Sequence, residues 1–119
     1  MKFPKEIKEA IKECIVCIIW PKEDIVSFLK KHGCTKDDLA PIRKPQDLTR
    51  SKMVHLVFRQ LSWKKDEGVS QFKAMNRTLL NWKSFNKHYF DDLKKLKVEN
   101  AKNALKNLVE AQFYLDSDD

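Results

Sequence analysis

The chain has 119 residues, enough for one domain with a real core and too few for two. Two glycines, four prolines and twelve aromatics exclude a hairpin-rich or disordered chain, and 34% charged residues beside 42% hydrophobic ones point to amphipathic helices. The net charge of +7 is concentrated, because residues 43–87 hold eleven Lys/Arg against three acids.

The first predicted helix begins at Pro4, whose missing N–H is not needed in a first turn. Ile7, Ile11, Cys14, Ile15 and Ile18 follow the spacing of one buried stripe. Lys5, Glu6, Lys8, Glu9, Lys12 and Glu13 give the other side mixed charge. The longest apolar run, Ile15 to Trp20, is six residues, whereas a span of the bilayer needs about 20. The alternating N-terminus also lacks the form of a signal peptide.

Trp20-Pro21 interrupts this helix, since proline removes a donor and disfavours helical geometry at the residue before it. A second helix is expected over 22–32, with Ile25, Phe28 and Leu29 inward and Gly33 as its stop. Thr35 with Asp38 reads as an N-cap and its acidic N3 residue, opening a short sixth helix that ends at Pro41. Residues 41–49 form the main irregular connection. Asp47 or Thr49 then caps a third helix over 50–62, with Val54, Val57, Phe58 and Leu61 inward.

Residues 62–69, which include Gly68, read as a polar turn. A fourth helix over 69–83 presents Phe72, Met75, Leu79 and Trp82. The fifth and longest runs over 90–114, with Leu93, Leu96, Ala101, Ala104, Leu105, Leu108 and Gln112 on or near one side. The expected fold is all-α: a compact antiparallel bundle of five helices and one short helix over residues 1–115. Residues 116–119 form an acidic tail, frayed or the start of a linker.

At about 100° per residue, the third helix places Lys52, His55 and Arg59 in one arc away from its apolar stripe. The fourth places Lys73 and Arg77 one turn apart, also off its stripe. If the two helices are neighbours these rows merge, and the loop residues Arg43, Lys44, Lys64 and Lys65 extend the patch. Such a basic face fits an acidic protein surface, a like helical module, or nucleic-acid phosphates. No zinc finger, basic zipper or helix-turn-helix signature accompanies it, so nothing here reads bases.

No catalytic residue, metal ligand or cofactor is assigned. Cys14 and Cys17 have CxxC spacing, but a reactive pair needs a helix N-terminus, and these lie toward a helix C-terminus. Cys14, Cys17, His32 and Cys34 could supply four zinc ligands, yet structural sites usually draw CxxC from a turn. Buried thiols acting as small hydrophobes are the favoured reading. Three cysteines, an odd number, fit reduced thiols and a cytoplasmic location. Arg50 and His55 match the Arg-x4-His spacing of the HEPN ribonuclease superfamily, in which a dimer cuts RNA with the imidazole as base and the guanidinium steadying phosphate. The spacing is short, so an RNA-cleaving dimer ranks third.

A further pattern joins these segments. Ile18-Ile19-Trp20, Asp24-Ile25, Phe28-Leu29 and Gly33 are followed by Lys52, Val54 and Leu61, then by Phe72, Leu79, Trp82 and Phe85 before a long helix. This order resembles the small N-terminal helical modules of multidomain prokaryotic defence proteins, including the effector-associated, death-fold-like adaptors. The resemblance covers most of the chain and rests on hydrophobic positions, so it transfers no functional residue. It implies a death-like bundle and homotypic or adaptor contacts in antiviral defence. The leading expectation is therefore a non-enzymatic interaction module with a basic face, with nucleic-acid binding by the same face as the alternative.

Overall fold

Five α-helices and two 3-10 turns account for the regular structure in the computed structural model, which describes residues 5–61, 66–82 and 92–112. They are α1 (Lys5–Ile18), α2 (Lys22–Lys31), α3 (Arg50–Gln60), α4 (Asp66–Leu80) and α5 (Asp92–Gln112), with 3-10 turns at Ala40–Ile42 and Pro45–Asp47. No strand occurs among the described residues, so the all-α expectation holds. No helix among them is long and apolar enough to cross a membrane.

The isoleucine stripe of α1 organises the core. Ile7, Ile11, Cys14 and Ile15 are fully buried and Ile18 nearly so. Burying a side chain of this size stabilises by about 1.5–3 kcal/mol. Three helices cover α1: it packs on α3 and α4, and most extensively on α5. The buried residues of α3 are Met53, Val54, Val57 and Phe58, and α4 adds Phe72, Met75 and Leu79. Phe58 and Phe72 meet with ring centroids 5.6 Å apart.

Local signals set the helix ends. Pro21, in extended geometry, precedes α2. At its other end the Cys34 N–H donates to the Leu29 carbonyl and the Gly33 N–H to that of Lys30, the paired bonds of a Schellman motif. Gly33 has φ 93°. This left-handed backbone favours glycine, whereas a Cβ there would meet only the movable side chain of Gln71, with Nε2 at 2.9 Å. Thr35 and Asp38 form a reciprocal capping box, with the Thr35 N–H donating to Asp38 Oδ2 and the Asp38 N–H to Thr35 Oγ1. The box opens a hydrogen-bonded turn and then a 3-10 turn rather than a sixth α-helix. Thr49, not Asp47, caps α3, its hydroxyl accepting from the Lys52 N–H at 3.0 Å.

Two sequence expectations need correction. Helix α4 begins at Asp66, so Gly68 lies inside a helix and not in a turn. In α5 the buried positions are Val98, Leu105 and Val109, whereas Leu93 and Leu96 are 64% and 56% exposed. Stepping back by one helical turn from Val98 reaches Lys94, not Leu93. Lys94 is half-buried, with its ammonium 4.6 Å from the Trp20 ring centroid.

Asn76 on α4 is completely buried, and neither amide atom has a hydrogen-bond partner. A buried unpaired amide costs about 1–3 kcal/mol. Asn76→Leu, close in volume and without polar atoms, is therefore expected to raise stability by about 1–2 kcal/mol. Urea denaturation measures this directly. A destabilised variant would mean that the amide is satisfied in solution.

Candidate functional site: the α1/α3 face

The basic row of α3 borders α1. Lys52, His55 and Arg59 share two shallow depressions, about 340 and 250 Å³, with Lys8, Glu9, Lys12 and Glu13 of α1. The exposed charges of α1 and the polar side of α3 thus meet where the two helices pack. Four bases and two carboxylates line the face, which is therefore net positive.

The charges there are not equivalent. Lys12 Nζ lies 3.0 Å from Glu9 Oε2 and also donates to His55 Nδ1 at 3.4 Å. Glu13 Oε1 accepts a weak hydrogen bond from Cys17 Sγ at 3.9 Å. Lys52 and Arg59 are exposed and make no ion pair. Consequently the surplus positive charge sits at the two ends of the α3 row, with a lysine–histidine hydrogen bond between them.

The other expected members fall elsewhere. Lys73 is half-buried and Arg77 exposed on α4, and neither lines the α1/α3 depressions. Lys64 and Lys65 lie outside the described residues. Lys8 and Lys12, which sequence reasoning left out of the patch, line the depressions with the α3 row. Their signal was hidden because acids alternate with them along α1.

Arg50 and His55 share a helix but not an environment. No basic residue lies in the last turn of α1. Arg50 supplies one from α3, its Nη1 donating to the Val16 and Ile19 carbonyls. Its guanidinium carbon lies 3.7 Å from the Trp20 ring centroid. The indole N–H donates to the Cys17 carbonyl at 3.1 Å. Three carbonyls that end α1 are thus satisfied by side chains, where the helix dipole also favours a cation. Partial burial moves the Arg50 pKa down, opposed by the nearby Cys17. Arg50 does not line the depressions that hold His55.

The thiols and the second histidine are also placed. Burial pushes the Cys14 and Cys34 thiols up to about 12 and raises that of half-buried Cys17. Glu13 reinforces the shift at Cys14 and Cys17, and Asp38 at Cys34. All three are held as neutral thiols rather than as nucleophiles. His32 is buried, with Nδ1 2.8 Å from the Phe28 carbonyl and Nε2 2.7 Å from Thr78 Oγ1, so it ties α2 to α4. Among the described residues no group of three or more His, Cys, Asp or Glu is arranged to hold a metal.

What remains is a charged surface with few buried polar groups, suited to contact with an anionic surface. No protein-family model matches the sequence, and neither a curated protein nor a solved structure shows significant similarity to it.

Proposed function

We propose that the chain is a non-enzymatic helical interaction module whose α1/α3 face docks an acidic protein surface. The observation that carries this reading is the pair of exposed, unpaired cations, Lys52 and Arg59, flanking His55 on one helix. An exposed row of this kind, along two shallow depressions, offers charge complementarity to an acidic surface. The sequence resemblance supports an adaptor role within a larger antiviral defence protein, where such contacts bring an effector to its sensor.

The same cations could meet phosphates, and a binding assay separates the two targets. Fluorescence anisotropy with a labelled polyglutamate peptide, mixed-sequence RNA and mixed-sequence DNA is the measurement. Polyglutamate is expected to bind more tightly than either nucleic acid. Lys52→Glu with Arg59→Glu should weaken that binding by about tenfold or more, a typical effect of reversing contact charges. Tighter binding of RNA or DNA, falling steeply with salt and lost in the same variant, would replace the protein target with nucleic acid.

A further inference from the structure

A second surface lies on another side of the bundle. Between α2 and the connection carrying the two 3-10 turns runs an open groove of about 830 Å³. Its floor is aliphatic. Leu39, Ile42 and Cys34 belong to the core and show through at the bottom, while half-buried Val26 and Pro45 form the walls. Lys22 Nζ donates to the Pro45 carbonyl at 3.1 Å and joins α2 to this connection. The capping box of Thr35 and Asp38 and the Schellman motif at Gly33 fix the chain where it leaves α2.

The rim has the opposite character. Lys30, Lys36 and Arg43 are exposed around the groove, and none forms an ion pair. Glu23 is the one acid among the lining residues. Arg43 also borders the neighbouring depression, where Lys44 and Asp47 join it, so the charge past the end of the groove is mixed with a small positive excess. Apolar floor and cationic rim together define the chemistry of an occupant: aliphatic side chains to cover the floor and carboxylates to meet the rim.

Nucleic acid fits this description poorly. Among the described residues the lining has no aromatic ring on which a base could stack. Ser27, the hydroxyl residue in the lining, already donates to the Glu23 carbonyl at 3.0 Å. The neutral Cys34 thiol adds no charge to the floor, because burial holds its pKa near 12.

We infer that this groove binds an acidic segment of a protein partner, seated through leucine-like anchors and flanked by carboxylates on Lys30, Lys36 and Arg43. The inference rests on the interaction-module reading and gives that module a second contact surface, separate from the α1/α3 face. Selectivity comes from two sources acting together. Anchors without acids leave the rim unmatched, and acids without anchors leave the floor in water.

Three synthetic peptides of equal length test this: one combining leucine anchors with glutamates, one with every glutamate changed to lysine, and one with every leucine changed to serine. Two-dimensional amide NMR follows each titration on the whole chain. The Leu/Glu peptide is expected to shift resonances of residues 23–45, and Lys36→Glu with Arg43→Glu to weaken it about tenfold. Both altered peptides should bind at least about tenfold more weakly than the parent. Equal binding of the lysine peptide, shifts confined to α1 and α3, or no shifts at all would overturn the proposal. Both substituted residues are exposed and their side chains make no hydrogen bond or ion pair among the described residues, so the folded core is the internal control. Lys52→Glu with Arg59→Glu should leave this titration unchanged while weakening polyglutamate binding by about tenfold or more, so failure of either surface can be told from failure of the other.

Discussion

Phe72→Ala is expected to lose about 3–5 kcal/mol of stability, the usual cost of deleting a fully buried aromatic ring. Phe72 has no exposed surface and packs against Phe58. Helix α3 otherwise lies mainly on α1 and the Ala40–Ile42 turn, so this ring contact is a principal link between α3 and α4. The removed ring would leave a cavity beside residues whose positions are fixed by α1. Domains of this size have about 5–15 kcal/mol in total, so the variant should be substantially unfolded under mild denaturant. Urea unfolding followed by far-UV circular dichroism gives the difference. Phe58→Leu, measured alone and with Phe72→Ala, separates the ring–ring term, expected at about 0.5–1.5 kcal/mol. A loss under about 1 kcal/mol for Phe72→Ala would mean that α4 does not seal the core as described.

Arg50→Ala is the second large effect, expected near 2 kcal/mol. Charge-assisted hydrogen bonds contribute about 1.5–3 kcal/mol, and an exposed cation–aromatic contact about 0.5–1. The lower part of the combined range applies because the guanidinium is only half-buried and water can replace part of what it gives. Arg50→Lys should recover less than half of the loss, since an ammonium cannot reach two carbonyls and lie flat on an indole together. Polyglutamate affinity at the α1/α3 face should stay the same in both variants. Unchanged thermal stability in Arg50→Ala would remove the capping role. If that stable variant also lost an RNA-cleaving activity present in the parent, the Arg-x4-His reading would gain what the capping role lost.

The helices were largely legible in the sequence because their signals are local. All five expected stripe residues of α1 are buried, Gly33 and Thr49 act at the helix ends where their chemistry suggests, and Thr35 with Asp38 opens a turn. Gly68 misled because a glycine is a strong local breaker, yet one inside a helix costs only about 1 kcal/mol and the rest of α4 can offset it. Leu93 and Leu96 misled through composition: being leucine did not place them in the register of Val98, Leu105 and Val109.

The candidate site was legible only in part, because a surface is made by helices that are neighbours in space. Angular placement on α3 gave Lys52, His55 and Arg59 correctly as one row. It could not show that α1 would border that row. Lys8 and Lys12 belong to a segment whose charges nearly cancel, so a count along the chain gives them no weight. Packing turns that segment so that its lysines meet the α3 row. The groove beside α2 was hidden for a related reason. Its floor comes from core residues and its rim from the end of α2 and the connection after it, classes that sequence reasoning treats separately.

The close packing of α1 on α5 also matters for biosynthesis. A nascent chain carries its isoleucine stripe through the synthesis of α2, α3 and α4, on the order of ten seconds at ordinary elongation rates. Only after α5 emerges does that stripe receive its most extensive cover. Closing the first helix on the last also spans most of the sequence, a long-range step that slows folding relative to local helix pairing. Ribosome-bound or prematurely stopped chains ending before Val98 would therefore leave part of this isoleucine stripe, buried in the finished fold, open to water, and would be the forms that chaperones and proteases meet.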